Sequence, residues 1–150
     1  MLLNSIYKKI ADQCTTRYAT LKPTGIVFGA IKSSQVSAAL IVKSYSPART
    51  FYVKKVPLCR SFNGINSCNI VNKKCKECKD NNYCTPQICI ELEYRKMPYR
   101  MLLAYTSAQN FLLFVNRCKF KNIAVNDLPV LLYVKNRGHW GELLFEIKQQ

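Results

Sequence analysis

Residues 129–148 read PVLLYVKNRGHWGELLFEIK, and this stretch decides the fold class. Two apolar runs, Pro129 to Lys135 and Glu142 to Lys148, flank Asn136-Arg137-Gly138 and its neighbours. Asn and Gly accept the backbone of a tight turn, so the stretch predicts an antiparallel hairpin. Upstream, Ile88, Ile90, Leu92 and Tyr94 alternate with Cys89, Glu91, Glu93 and Arg95. That two-residue period belongs to a half-buried strand. Gly25 to Lys32 and Val36 to Ser44 are further strand-like runs, and the turn-sized Ser33-Ser34-Gln35 predicts that they form a hairpin. Ser46-Pro47 reads as a break, and Thr50 to Val56 as the next strand, with Phe51 and Val53 on one side and Tyr52 and Lys54 on the other. After Pro98, Arg100 to Tyr105 adds a short run.

Two helices accompany these strands. Leu3, Ile6, Tyr7, Ile10, Cys14 and Tyr18 recur at three- and four-residue spacing, predicting a helix over 2–19. Ser107 is placed to cap a second helix reaching about Phe120, with Phe111, Leu112, Val115 and Cys118 as its buried stripe. From Pro57 to Cys89 the apolar periodicity stops and Asn, Lys, Ser and Cys take over. A stretch of that length needs its own organising centre. The expectation is one α+β domain over 1–150. An antiparallel sheet of six or seven strands, for which an OB-like barrel is one arrangement, joins two helices and a cysteine-rich insertion at 57–89.

The chain has 150 residues, enough for one domain with its own core. Neither a membrane-length apolar run nor a signal-peptide pattern is seen, so a cytosolic or intravirion setting is expected. The charge is one-sided: 23 Lys and Arg against 8 Asp and Glu, a net +15. An anionic partner relieves such self-repulsion, and nucleic acid is the first candidate. Residues 1–42 carry a net +4, 43–100 carry +8 and 101–150 carry +3. The middle region holds Lys43, Arg49, Lys54, Lys55, Arg60, Lys73, Lys74, Lys76, Lys79, Arg95, Lys96 and Arg100, interleaved with Tyr52 and Tyr99. Cations neutralise phosphates, and flat side chains stack on unpaired bases. The mixture points to single-stranded DNA or RNA bound with little sequence preference. Tyr94 shares its strand side with Ile90 and Leu92 and is assigned to the core.

Eight cysteines are the second unusual feature. Cys75, Cys78, Cys84 and Cys89 form C-x2-C-x5-C-x4-C, a window that suits a four-thiolate zinc site, with Cys59 and Cys68 as substitutes just upstream. Neighbouring lysines favour the thiolate form. Disulfides and an iron–sulfur cluster are the other ways to use these thiols. Cys14 and Cys118 lie on apolar stripes and read as buried hydrophobes. The run Cys75-Lys76-Glu77-Cys78, followed by Cys84, resembles the C-x2-C-x5-C element of RecB-like nucleases that carry a four-iron cluster. The resemblance covers about ten residues and implies iron–sulfur ligation by those cysteines. The metal-binding acids of that family precede the cysteines, whereas here only Asp12 lies upstream of Cys75. The nuclease activity is therefore not implied.

No catalytic constellation is read. His139, the only histidine, falls in a turn. Glu91 and Glu93 share one side of a strand about 7 Å apart, which would suit a metal-dependent nuclease but equally a solvated face beside Arg95 and Lys96. The other alternative is an assembly nucleoprotein of a virus or mobile element, which large exposed apolar patches would favour.

Overall fold

The computed structural model of the protein describes residues 17–29, 33–65, 67, 74–79, 83–126 and 128–148. In chain order the strands are β1 (Ala19–Lys22), β2 (Gly25–Phe28), β3 (Ser37–Val53), β4 (Val56–Ser61), β5 (Thr85–Tyr94) and β6 (Met97–Leu103). The helix α1 (Tyr105–Phe120) and the strands β7 (Val130–Asn136) and β8 (Gly141–Ile147) follow. The protein is α+β, with a mostly antiparallel six-stranded sheet ordered β6-β5-β3-β7-β8, β4 pairing with β3, and a separate β1–β2 pair.

Contacts divide the chain into two units. The described part of one lies within Ser46–Cys89, and the other comprises Arg17–Tyr45 and Ile90–Gln150. β3 and β5 each begin in one unit and end in the other. The cysteine-bearing unit is thus wider than the 57–89 insertion and takes in the second half of β3.

The larger unit holds most of the core. β7 and β8 form the expected hairpin, in register from Val130↔Ile147 to Asn136↔Gly141. Alternation buries Val130, Leu132 and Val134 on one strand, and Leu143 and Phe145 on the other. Against them α1 seats Phe111, Phe114, Val115 and Cys118. Phe145 meets Phe111 edge-on at 5.3 Å and stacks with Phe114 at 5.8 Å. α1 ends in a Schellman arrangement: Asn122 takes φ 57°, and the Ile123 N–H donates to the Cys118 carbonyl. β1 and β2 pair from Ala19↔Phe28 to Lys22↔Gly25. Tyr18 makes a parallel bridge to Arg100, which brings this pair beside β6. At Gly141 on β8, an added Cβ would lie 2.5 Å from the Lys22 carbonyl oxygen, so only glycine permits that approach.

Several expectations are corrected. Of the helix over 2–19, residues 1–16 lie outside the described set, while Tyr18 is a bridge residue and Ala19 opens β1. α1 is the one helix among the described residues. Ser107 does not cap it. Ala104 occupies that position, and the buried Ser107 Oγ instead accepts the Leu143 N–H at 3.1 Å. Leu112 is exposed, and Phe114 takes its place in the core. Among the described residues the 25–44 hairpin is one antiparallel bridge, Ile26↔Gln35, and β2 pairs along its length with β1. Ser46-Pro47 does not break β3. Pro47 falls between the β7 ladder, which ends at Leu40, and the β4 ladder, which begins at Arg49, so its missing N–H leaves no gap in either. Pro98 likewise lies inside β6. No ladder joins β6 to β8 among the described residues, so the ring closure of an OB-like barrel is not part of the described structure.

Candidate nucleic-acid interface and thiol cluster

Within Ser46–Cys89, β3 turns into β4 through Lys54 and Lys55. Both take positive φ, 50° and 67°. Two consecutive left-handed residues make a type I′ turn, whose twist suits a hairpin but whose usual occupants are Asn and Gly. A side chain in that region costs about 1–2 kcal/mol per residue. Here the positions carry two adjacent, exposed positive charges. The strands flanking the turn expose Tyr52 (37%), Val53, Val56 and Leu58. Tyr52 Oη accepts a hydrogen bond from Gln87 Nε2 at 3.3 Å, and Gln87 Oε1 accepts one from the buried Thr50 Oγ1 at 2.6 Å. That network fixes the ring at the surface.

Lys74, Lys76 and Lys79 are exposed around a 3-10 turn at Cys75–Glu77, and Tyr83, a residue the sequence reading passed over, is 77% exposed. Arg49 and Arg60 are half-buried on paired strands. Lys73 lies outside the described residues. Among the described residues of this unit, seven cations (Arg49, Lys54, Lys55, Arg60, Lys74, Lys76 and Lys79) stand against one carboxylate, Glu77.

The larger unit treats its expected contacts differently. The β5–β6 turn is Arg95-Lys96, again left-handed at φ 51° and 64° and exposed. The Arg95 guanidinium lies 5.1 Å from the Tyr94 ring centre, and Tyr94 stacks on Phe28 at 3.9 Å. Lys43 pairs with Glu93 at 3.6 Å, and Arg100 Nε with Glu91 at 2.6 Å. The Arg100 side chain is only 13% exposed. Tyr99 is 7% exposed and meets Phe28 edge-on at 5.2 Å. In the core it presents no face to a base, which corrects its place among the expected contacts. Glu91 and Glu93 each face a cation, the arrangement of a solvated, charge-paired strand face.

The cysteines divide as well. Cys118 is buried on α1, and burial pushes its thiol up. Cys89 is 1% exposed within β5. Cys59, on β4, lies 3.1 Å from the Ser67 hydroxyl. Cys75 and Cys78 bracket the 3-10 turn, where the Cys78 N–H donates to the Cys75 carbonyl at 3.2 Å. Burial pushes the Cys84 thiol up, Arg49 opposes this, and the charges of Cys78, Cys59 and Cys75 raise it further. All six described cysteines are free thiols, and no three His, Cys, Asp or Glu side chains among the described residues converge at metal-holding geometry. Cys84 and Cys89 cannot share one ion. Thr85 to Cys89 is continuous strand spanning about 13 Å, whereas two thiolates on one zinc lie within about 4.6 Å of each other. The expected set of Cys75, Cys78, Cys84 and Cys89 is therefore incompatible with β5.

Comparison of the chain with protein-family models, curated proteins and solved structures finds no match.

Proposed function

We propose that the protein binds single-stranded nucleic acid with little sequence preference, through the basic and aromatic surface of the Ser46–Cys89 unit. The observation that carries this reading is the Lys54-Lys55 turn. Two like charges sit side by side in a backbone conformation that disfavours any side chain, and one carboxylate accompanies seven cations among the unit's described residues. Strain of this kind persists where function requires it. Phosphates supply the missing counter-charge, and the exposed rings of Tyr52 and Tyr83 provide stacking faces for unpaired bases. Lys74, Lys76, Lys79, Arg49 and Arg60 extend the cationic surface. Whether the strand is DNA or RNA is decided by contacts to the sugar.

The test is fluorescence anisotropy with labelled single-stranded and duplex oligonucleotides over a salt series. Single strands should bind more tightly than duplex, with a steep salt slope. Lys54→Gln with Lys55→Gln should lower the magnitude of that slope by about 1.4, at about 0.7 per phosphate contact. An unchanged slope would remove this turn from the interface.

A second reading, an assembly nucleoprotein, is favoured by one observation. The outer face of α1 exposes Tyr105 (74%), Leu112 (47%), Leu113 (60%) and Phe120 (91%), together with Gln109 and Asn116. Helical geometry places these six on one side, opposite the buried Phe111, Phe114 and Cys118. The stripe carries no charge on a chain of net +15, so it is the surface on which two copies meet with least repulsion. Light scattering of the wild type and of Leu113→Glu decides it: a multimer reduced to monomer by the substitution supports assembly, and a monomeric wild type removes it.

A further inference from the structure

Tyr52 belongs to a hydrogen-bond chain whose direction can be read from its lengths. Thr50 Oγ1 and Gln87 Oε1 lie 2.6 Å apart, and Gln87 Nε2 and Tyr52 Oη lie 3.3 Å apart. The short contact suits O–H···O, for which about 2.7–2.8 Å is usual, and is too close for N–H···O. The Thr50 hydroxyl therefore donates to the Gln87 carbonyl oxygen, which fixes the way the amide faces. Its NH2 group is turned toward Tyr52, and an amide nitrogen only donates, so the Tyr52 oxygen accepts. A phenol oxygen that accepts still has a proton to give. Among the described residues that proton meets no acceptor. The chain is anchored in the core, since Thr50 is 0% exposed, and it ends at the surface, where Tyr52 is 37% exposed.

The backbone singles out the same position. The β3–β4 register shifts from Phe51↔Cys59 to Tyr52↔Pro57, leaving Leu58 as the extra residue of a bulge. Bulges re-aim side chains and gather beside functional sites. Lys54 and Lys55 follow two and three residues on, so the outward donor lies one short step along the chain from two exposed cations.

We propose that the Tyr52 hydroxyl donates to a phosphate oxygen of the bound strand, and that Gln87 is the positioning residue that keeps it a donor. The inference rests on the single-strand reading above and deepens it. Lysines draw phosphates in and displace counterions, whereas a neutral hydroxyl adds a charge-assisted hydrogen bond and displaces none.

The experiment measures the anisotropy of a labelled single strand over a salt series, with the full chain. Tyr52→Phe keeps the ring and removes the donor. It should weaken binding by about 10-fold at every salt concentration, the low end for a hydrogen bond to a charged group, and leave the salt slope unchanged. The loss should persist on a strand of abasic nucleotides, which keeps the phosphates and lacks the bases. Gln87→Glu reverses the chain: a carboxylate only accepts, so the Tyr52 proton turns inward. Its cost should be smaller when Tyr52→Phe is already present, because the donor it withdraws is then gone. The added negative charge by itself would cost the same in both backgrounds. Wild type that binds no strand overturns the single-strand reading and this inference together. Wild type that binds, with Tyr52→Phe binding equally well, overturns the inference alone. So does a Tyr52→Phe loss that disappears on the abasic strand, or a Gln87→Glu cost that is equal in the two backgrounds.

Discussion

Lys54, Lys55, Arg95 and Lys96 occupy turn positions where a sequence reader looks for Asn and Gly. Their φ values between 50° and 67° mean that each hairpin folds despite its turn residues, driven by the strands on either side. This gives a prediction in which stability and binding move in opposite directions. Lys54→Asn combined with Lys55→Gly installs the favoured turn pair and should raise unfolding free energy by about 1 kcal/mol, the low end of the left-handed cost. The same variant should bind single-stranded oligonucleotide more weakly and with a shallower salt slope. Denaturant unfolding and anisotropy on one preparation check both halves, and a variant that is stabilised yet binds unchanged would show the turn charges to be idle. Tyr99 teaches the reverse lesson. Its neighbours in sequence, Lys96 and Arg100, suggested a stacking platform, but it lies on the buried face of β6 beside Phe28. Sequence proximity to cations says nothing about which side of a strand a ring occupies.

Among elements, those written in plain alternation were legible. The β7–β8 hairpin and β5 fall where the period-two pattern and Asn136-Gly138 place them. Elements that depend on partners were not. β3 runs through Ser46-Pro47 between the stretch that pairs with β7 and the stretch that pairs with β4, which no local pattern records. β4 and β6 begin with Val56-Pro57 and Met97-Pro98 just after cationic turns, so neither announces itself. On α1 the buried and exposed faces are both apolar, and a stripe read from spacing alone took Leu112 in place of Phe114. Substitution separates them. Phe111→Ala removes a 0%-exposed ring that touches Tyr45 and Phe145, and should cost about 3–5 kcal/mol. Leu112→Ala should stay within about 0.5 kcal/mol of wild type. Urea unfolding of the two decides which face is core. The β7–β8 hairpin also carries an acid-sensitive pair. Glu142 accepts from Arg137 Nε at 3.0 Å and from Asn110 on α1 at 3.3 Å, and the Arg137 bond holds its carboxyl below the ordinary 4.5. A depressed carboxyl adds stability above its ordinary value, and that stability is lost as pH falls through the folded value. Wild type should therefore lose stability between pH 4.5 and its folded value, whereas Glu142→Gln should be flatter there. Acid titration of the unfolding midpoint for both proteins measures this, and parallel curves would remove Glu142 from the account.

At the scale of the whole molecule the charge and the cysteines were legible because they are compositional, while their division between two units was not. Net charge of +15 names a class of partner, but Lys43 and Arg100 spend theirs on Glu93 and Glu91, and the cations least offset by carboxylates cluster in the Ser46–Cys89 unit. Likewise C-x2-C-x5-C-x4-C counts four thiols without showing that Cys89 is held inside a strand. Among the described residues, the largest fully buried side chain of the smaller unit is Thr50, whereas the larger unit holds Phe28, Phe111, Ile90, Leu92, Met101 and Leu143. Among the described residues of the smaller unit, side-chain hydrogen bonds link separate segments: Ser46 Oγ donates to the Phe62 carbonyl, and the buried Thr50 Oγ1 donates to Gln87 Oε1. Each such bond contributes about 1 kcal/mol. Thr50→Val removes the donor to Gln87 and should therefore act unevenly. Amide exchange should speed up in peptides covering the second half of β3 and β4, while peptides covering α1, β7 and β8 keep their protection. Uniform loss of protection would mean that the two units open together, and no change in any peptide would mean that the Thr50–Gln87 bond does not support the smaller unit.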